Sequence, residues 1–443
     1  MIINPELRRN LWLEITHTRL IVMPIVLGSI FALLYLASAD ADLIGSITIV
    51  IYIALTFFWG ARLASESIFA EVRERTWDAQ RLSSISPWTM TWGKLFGSTA
   101  YAWYGGVFCL AVFIWQVRFD NDWYKTVLIL ILGALLVQTL ALFSSMHMII
   151  KSKVISRSQS AAVPLLAIAA MIPFLIIGVS TKVTNFTFFQ YSFASIDFSL
   201  ASLIAFLIWA LWGVERLMRA ELKYRKMPIA WAGFLLFLIA YIAGFDFSEA
   251  INDFNKNLST LSSWLIAFLT GIGITWLTIL AEKKDPIAWQ RLWQRVKEHN
   301  YRRAIESLPA WSISLFVAIF AAIILSILLL SMTIIDNTPL IIINLVLFLC
   351  RDVALVIWLN LSENQRRADV FAVIWLLLIY TIFPMLFKTI GLTAVAACFR
   401  VETTDYALVS MFAALLECIA LGYLINRRWQ RWKNKKILIQ LHN

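Results

Sequence analysis

The sequence predicts an all-α, polytopic integral membrane protein with about 12 transmembrane helices. Of its 443 residues, 60% are apolar and 15% are charged, whereas an average soluble domain has about 45–50% and about 25%. A soluble surface needs more polar residues than this chain supplies, so the composition excludes most soluble folds. Basic residues outnumber acidic ones by 38 to 27, which gives a net charge of +11.

Twelve apolar segments are long enough to cross a membrane, because about 30 Å of hydrocarbon requires roughly 20 helical residues. Around them the chain divides into an interfacial helix at 1–19, a six-span unit at 20–220, a second six-span unit at 221–426 and a basic tail at 427–443. The predicted spans are Leu20–Ala37, Leu43–Trp59, Leu95–Trp115, Thr126–Ile150, Ala161–Ser180, Ser199–Met218, Pro228–Phe245, Leu261–Ala281, Trp311–Ile334, Pro339–Leu361, Val370–Leu392 and Tyr406–Ile425.

The first span ends in a small-x-small triplet, Ala37-Ser38-Ala39. A signal peptidase reads such a pattern after an apolar run. An intact chain is the main interpretation, and cleavage at this triplet is the alternative.

The distribution of basic residues predicts which side of the membrane each loop occupies. If the N-terminus is cytoplasmic, 31 of the 38 lysines and arginines fall in cytoplasmic segments, as expected from their enrichment in short cytoplasmic loops. We therefore expect a multi-pass protein of the cytoplasmic (inner) membrane, with both termini in the cytoplasm and membrane lipids around its spans. Because topology explains the net charge, the charge indicates no nucleic acid partner.

The N-terminal segment predicts a short helix at the membrane surface. Asn4 suits an N-cap, Pro5 suits the first helical position, and Glu6 faces the positive end of the helix dipole. Leu7 and Leu11 are four residues apart and lie on one face of such a helix. We expect this helix to lie in the inner membrane interface, and a frayed tail is the alternative.

The segment at 61–94, between the second and third spans, carries the most informative motif. Its core, Glu71–Arg81, is a run of mixed charge interrupted by Thr76, Trp77 and Asp78, and a Ser/Pro break follows. A short amphipathic helix of this kind can lie across the membrane surface and present its charges to a soluble protein. A solvated connecting helix, whose charges only hold it in the cytoplasm, is the alternative.

These motifs resemble a known family. The chain has Asn-Pro-x-Leu-Arg-Arg at 4–9, Glu-x-x-x-x-Thr-Trp-Asp-x-x-x-Leu-x-x-x-x-Pro at 71–87 and Gly-Lys at 93–94, in that order. This arrangement is similar to that of the permease subunits of ABC-2 type ATP-binding-cassette transporters, whose loop between the second and third spans forms a coupling helix in a cleft of the ATPase. The resemblance implies that Gly93 and Lys94 mark the return into the membrane. One departure is Arg75, where the family usually has glycine. The candidate partner-binding residues are Glu74, Arg75, Thr76, Trp77, Asp78, Arg81, Leu82 and Pro87.

The resemblance also implies a function. The chain would be a permease that translocates a substrate, in the direction of export, while a separate cytoplasmic ABC ATPase, expected as a dimer, binds ATP and Mg²⁺. The sequence has no GxxxxGK[ST] phosphate-binding loop, so we expect this chain to be no enzyme itself and to bind no cofactor. A homodimer and a single chain of two fused halves both remain open. The alternatives are an ion-coupled secondary transporter and a lipid-acting integral membrane enzyme.

The second half contains a partial echo of the first. The Ser/Pro break at 84–88 has a counterpart at 306–311, placed equivalently before the ninth span. Trp289 and Trp293, like Arg291 and Arg295, are four residues apart, so the long second loop also predicts an interfacial helix. Two tandem six-span units would have long loops at these two places.

Three charged residues lie at membrane depth in the second unit. Arg351 and Asp352 fall midway along the tenth span, and Glu417 falls midway along the last. Charges in the hydrocarbon are costly, so they indicate either a structural ion pair or a substrate path. Because adjacent helical residues point about 100° apart, we expect Arg351 and Asp352 to face different neighbours, one of them pairing with Glu417. The four cysteines and four histidines show no metal-ligand spacing, so no metal site is expected.

Overall fold

The computed structural model of the chain is almost wholly helical. It describes residues 4–37, 41–83, 85–117, 123–151, 185–222, 224, 228–245, 262–282, 284–331, 338–361, 368–401 and 406–441. The chain forms two compact units, Met1–Lys226 and Met227–Asn443, and each is described by itself.

The first unit surrounds a continuous apolar core. A π-helical segment, Ile53–Trp59, joins α3 to α4 without a break. In the core, Phe57, Ile68 and Leu142 are fully buried. The helices of this unit are α1 (Pro5–Glu14), α2 (His17–Ala37), α3 (Ala41–Tyr52), α4 (Gly60–Arg73), α5 (Trp77–Arg81), α6 (Pro87–Val117), α7 (Trp123–Lys151) and α8 (Ser195–Glu221).

A small β-hairpin precedes α8, which the sequence interpretation did not include. Strands β1 (Asn185–Phe188) and β2 (Tyr191–Ala194) pair antiparallel. Phe189 and Gln190 form the two-residue turn, both at positive φ, which is the backbone that matches the twist of a tight hairpin. The all-α class still describes the protein, because this hairpin is its only sheet among the described residues.

The second unit has two smaller apolar clusters along its helices. A second π-helical segment, Leu378–Ile382, joins α15 to α16. Its helices are α9 (Ile229–Ala243), α10 (Ser262–Ala281), α11 (Pro286–Lys297), α12 (Tyr301–Glu306), α13 (Ala310–Ser331), α14 (Thr338–Asn360), α15 (Ala368–Leu377), α16 (Phe383–Thr389), α17 (Thr393–Ala396) and α18 (Ala407–Leu441).

Ten helices among the described residues are long and apolar enough to cross a membrane, which agrees with a polytopic α-helical membrane protein. The predicted span Pro228–Phe245 is a shorter apolar helix of 15 residues, or about 22 Å, against the roughly 30 Å of hydrocarbon. The predicted span Ala161–Ser180 lies outside the described residues. The count of twelve therefore stays a prediction.

The helices on either side of the 61–94 segment are longer than predicted. The helix of the second span continues to Arg73, and that of the third span begins at Pro87. The connecting loop is consequently confined to residues 74–86. Of the charged run Glu71–Arg81, residues 71–73 are the end of the membrane helix α4, and Trp77–Arg81 forms the separate short helix α5.

Candidate functional site

The loop between α4 and α6 begins with a sharp turn. The Thr76 amide donates to the Glu71 carbonyl (2.9 Å) and the Arg75 amide to the Val72 carbonyl (3.2 Å), which is the pair of bonds that defines a Schellman motif. Arg75 has φ 60°, a left-handed conformation that glycine adopts without strain. Arg75 therefore stands where a helix C-terminus favours glycine.

Five of the predicted partner-binding side chains, in the turn, in α5 and at the C-cap of α5, face solvent, and together we call them the loop surface. Leu82 is 89% exposed, so an apolar side chain stands beside charged ones. Asp78 pairs with Arg81 at 3.1 Å while most of its carboxylate stays exposed. The residues of the loop surface are Glu74, Arg75, Thr76, Asp78 and Leu82.

Three of the predicted partner-binding residues, Trp77, Arg81 and Pro87, do not belong to this exposed surface. Trp77 is 5% exposed, and its indole N–H lies 3.4 Å from the Glu221 carboxylate. Arg81 is half-buried and donates to the Glu221 carbonyl at 3.2 Å. Pro87 is buried at the start of α6. Trp77 and Arg81 therefore hold the loop against the end of α8, because both side chains donate to Glu221.

A buried polar network, formed by Glu6, Arg9, Glu71, Gln80 and Lys94, lies beneath the loop surface. Lys94 is fully buried, and its ammonium is 2.5 Å from Glu71 and 3.2 Å from Glu6. Gln80 donates to Glu71 at 2.6 Å, and Arg9 pairs with both carboxylates. Two cations thus balance two carboxylates, and the network ties the loop to α1, α4 and α6.

Sequence reasoning missed this network. A signal for it was present, because Lys94 stands beside an apolar span and a charge at such a place needs a partner of opposite sign. The resemblance pointed to Lys94 only as the point of return into the membrane. The positions of Glu71 and Lys94 in the sequence do not show that these residues pair, or that Glu6 contacts Lys94 as well.

The N-terminal helix packs on α6 through its polar face. The Asn4 side chain caps α1 by accepting from the Glu6 amide at 3.0 Å, which confirms the predicted helix start. Asn10 is buried, and it donates to the Gly93 carbonyl at 3.3 Å. A Cβ added at Gly93 would lie 2.9 Å from the backbone nitrogen of Leu7, so only glycine permits this close approach.

The long loop of the second unit repeats the same construction. Asp285 caps α11, which confirms the helix predicted from the spacing of the tryptophans and arginines. The helix ends in a second Schellman motif, with His299 at φ 55° and the Asn300 amide donating to the Arg295 carbonyl at 2.9 Å. A short helix, α12, follows before the next span, as α5 does in the first unit. The two loops share this local construction, and the internal repeat itself stays a prediction.

Within the second unit, Arg351 brings the three predicted charges at membrane depth together. Its guanidinium donates to Asp352 at 2.8 and 2.9 Å and to Glu417 at 3.1 Å. The pairing with Glu417 is confirmed, and the two residues contact different helices, Arg351 through Glu417 and Asp352 through Tyr380. The direct pairing of Arg351 with Asp352 was not expected from the sequence. The arginine side chain is long enough to fold sideways along its own helix, whereas the 100° rule applies only to the direction of Cβ.

Tyr380 completes this cluster, and the sequence analysis did not single it out. Its hydroxyl donates to Asp352 at 2.7 Å, from the π-helical segment between α15 and α16. A π-turn changes the direction of the side chains that follow it and is frequent at functional sites. Tyr380 also lines a cavity of about 540 Å³ whose other walls include Lys388 and Arg400. The bonds among the charged groups favour a structural ion pair; a substrate path stays a prediction.

The fold and these sites define the class of the protein as a polytopic α-helical membrane protein with buried ion-pair networks and an exposed loop surface. Among the described residues, no group of histidine, cysteine and acidic side chains is placed to hold a metal ion. Comparison with profiles of protein families, with curated proteins and with solved structures found no match.

Proposed function

We propose that this chain is the membrane-spanning permease subunit of an ABC-2 type transporter in the cytoplasmic membrane. It would export a substrate with ATP and Mg²⁺ bound by a separate cytoplasmic ATPase, expected as a dimer. The observation that carries the proposal is the loop surface, because exposed charges and one exposed leucine stand on a rigid buried base. A solvated connector would need no such base.

The base suggests how movement would reach the membrane helices. Glu71 lies near the end of α4, Lys94 near the start of α6 and Glu221 at the end of α8, and the loop contacts all three. Movement of the loop would therefore pull on three helices together. In this mechanism, ATP closes the two ATPase subunits and the helices change between two discrete arrangements.

The proposal is tested by replacing exposed residues of the loop surface. The double variant Asp78→Lys/Leu82→Ser alters two exposed side chains outside the buried network. We expect it to fold normally and to lose at least about tenfold of the ATP hydrolysis of the co-purifying ATPase, since an interface centre contributes about 2 kcal/mol or more. The measurement is ATPase activity of the complex purified in mild detergent.

The matched control is Glu298→Lys, a charge reversal at an exposed residue of the second loop. We expect this variant to keep most of the activity. Unchanged ATP hydrolysis in the Asp78→Lys/Leu82→Ser variant would refute the coupling role. The absence of any ATPase from the purified native complex would refute the proposed function as a whole.

An ion-coupled secondary transporter is the second candidate, and the cluster around Arg351 favours it. Two carboxylates, Asp352 and Glu417, surround one guanidinium, and such intramembrane groups serve proton or cation relays in other transporters. If this candidate is correct, an ionophore that abolishes the ion gradient will stop transport while ATP remains present. Transport that follows ATP and ignores the gradient would refute it.

A further inference from the structure

A second cavity, of about 590 Å³, lies at one end of the second unit. It is enclosed by α11, by the end of α14 and by α18, together with Lys284. Its volume falls within the range of about 300–1,000 Å³ that is typical of ligand sites. The charge count of the sequence predicts that this end of the unit faces the cytoplasm. We call this cavity the basic pocket.

The basic pocket carries an excess of positive charge. Its walls include Lys284, Lys297 and Lys433. Lys284 pairs with Asp369 at 2.7 Å. Among the described residues, Lys297 and Lys433 have no carboxylate within ion-pair distance. Two uncompensated ammonium groups around one cavity favour an anionic ligand.

Aromatic and amide side chains complete the polar part of the wall. Trp289, Trp293 and Trp429 line the pocket, and the Lys433 ammonium lies 5.5 Å from the centre of the Trp429 ring. Tryptophan is enriched where a membrane meets water, because its ring is apolar and its N–H donates a hydrogen bond. The side-chain amides of Gln290 and Asn426 also line the pocket and can donate hydrogen bonds.

On the side of the predicted membrane spans the wall of the pocket is mostly apolar, with Asn360 as its polar residue. It includes Ile357, Leu361, Gly422 and Ile425. These residues lie at or near the cytoplasmic ends of the predicted spans Pro339–Leu361 and Tyr406–Ile425, whose helices α14 and α18 are long enough to cross a membrane. At Gly422 an added Cβ would meet nothing within 4 Å. The pocket therefore passes from cationic to apolar along the direction in which a lipid passes from headgroup to chain.

We propose that the basic pocket binds an anionic phospholipid, with the phosphate between Lys297 and Lys433 and the upper part of an acyl chain against Ile357 and Ile425. A free phosphate compound has the same headgroup chemistry but would leave the apolar wall exposed. The apolar wall favours the lipid as the source of the phosphate.

The experiment measures lipid binding to the purified full chain in detergent by native mass spectrometry. The probe is palmitoyl-oleoyl phosphatidylglycerol, compared with the zwitterionic phosphatidylcholine of the same chains and with soluble glycerol phosphate. Each lysine near an anionic headgroup contributes about a fivefold change in affinity, so Lys297→Gln/Lys433→Gln is expected to weaken phosphatidylglycerol binding about 25-fold. Circular dichroism and thermal melting verify that each variant is folded.

The matched control is Arg291→Gln/Arg431→Gln, which removes the same charge from exposed residues of the same two helices, outside the pocket. We expect this control to change the affinity less than twofold. A second pair of variants changes no charge: Gly422→Leu fills the pocket and should block binding, whereas Gly273→Leu, where an added Cβ also meets nothing, should not.

Three results would overturn the proposal. Equal losses in the two double variants would assign the binding to general surface charge. Phosphatidylcholine bound as tightly as phosphatidylglycerol would remove the anionic preference. Glycerol phosphate bound as tightly as the lipid would assign the pocket to a soluble ligand. The proposal is supported if Lys297→Gln/Lys433→Gln lowers the affinity for phosphatidylglycerol about 25-fold, the control double variant does not, and Gly422→Leu does not bind the lipid.

Discussion

Removal of the Lys94 ammonium tests whether the buried network holds the loop in place. Lys94 is fully buried and contacts Glu71 at 2.5 Å and Glu6 at 3.2 Å. In Lys94→Met only Arg9 would remain to balance two buried carboxylates. Breaking a buried ion pair by removing one partner costs about 3–5 kcal/mol. For a unit of this size, that corresponds to a fall in Tm of about 6–20 °C.

The assay is thermal unfolding of the purified protein in detergent, followed by tryptophan fluorescence. A matched control is Lys125→Met, since Lys125 pairs with Asp197, whose side chain is 54% exposed, and exposed pairs contribute about 0–1 kcal/mol. The variant Lys94→Met/Glu6→Gln restores the charge balance and should recover more than half of the lost Tm. If Lys94→Met lowers Tm no more than Lys125→Met does, the argument from buried charge is refuted.

Four further predictions follow from particular contacts. Arg75→Gly removes the strain of a positive φ and should raise Tm by about 2–4 °C, equivalent to about 1 kcal/mol, whereas Arg75→Ala should not; equal melting of the two would contradict this. Gly93→Ala places a methyl group 2.9 Å from the Leu7 nitrogen and should release α1, which limited proteolysis would detect as faster cleavage within the first 15 residues. Arg351→Ala leaves two carboxylates uncompensated and should lower the free energy of unfolding by about 3–5 kcal/mol. We expect it to lower the folded yield more than it changes transport specificity. Tyr380→Phe removes one hydrogen bond to Asp352 and should lower the free energy of unfolding by only about 1.5–3 kcal/mol. A normal folded yield of Arg351→Ala together with an altered substrate range would contradict the structural role of Arg351.

The membrane helices were predictable because length and hydropathy alone determine whether a segment can cross a bilayer. Ten of the twelve predicted spans correspond to long apolar helices among the described residues. Their polar ends were less predictable. The helix that crosses at Leu43–Trp59 continues to Arg73, since charged residues are good helix formers once they leave the hydrocarbon.

The candidate sites were also predictable only in part. Exposure of Glu74 and Asp78 followed from their charge, but Trp77 is buried because Glu221, 144 residues away in the chain, accepts from its indole. The pairing of Arg351 with Glu417 followed from the cost of charge in lipid. The contribution of Tyr380 did not, because a phenol in an apolar span has no distinctive pattern.

The sequence by itself determined that this is a membrane protein, where most of its spans run, that Asn4 caps the N-terminal helix, and which segments carry the basic charge. These properties depend on composition and on neighbours a few residues apart. Only the tertiary structure decided that Glu6, Glu71 and Lys94 form one network, that Trp77 anchors the loop, and that Lys297 and Lys433 line one pocket. The physical reason is that ion pairs and cavities arise between helices distant in sequence, where no local pattern specifies the partner.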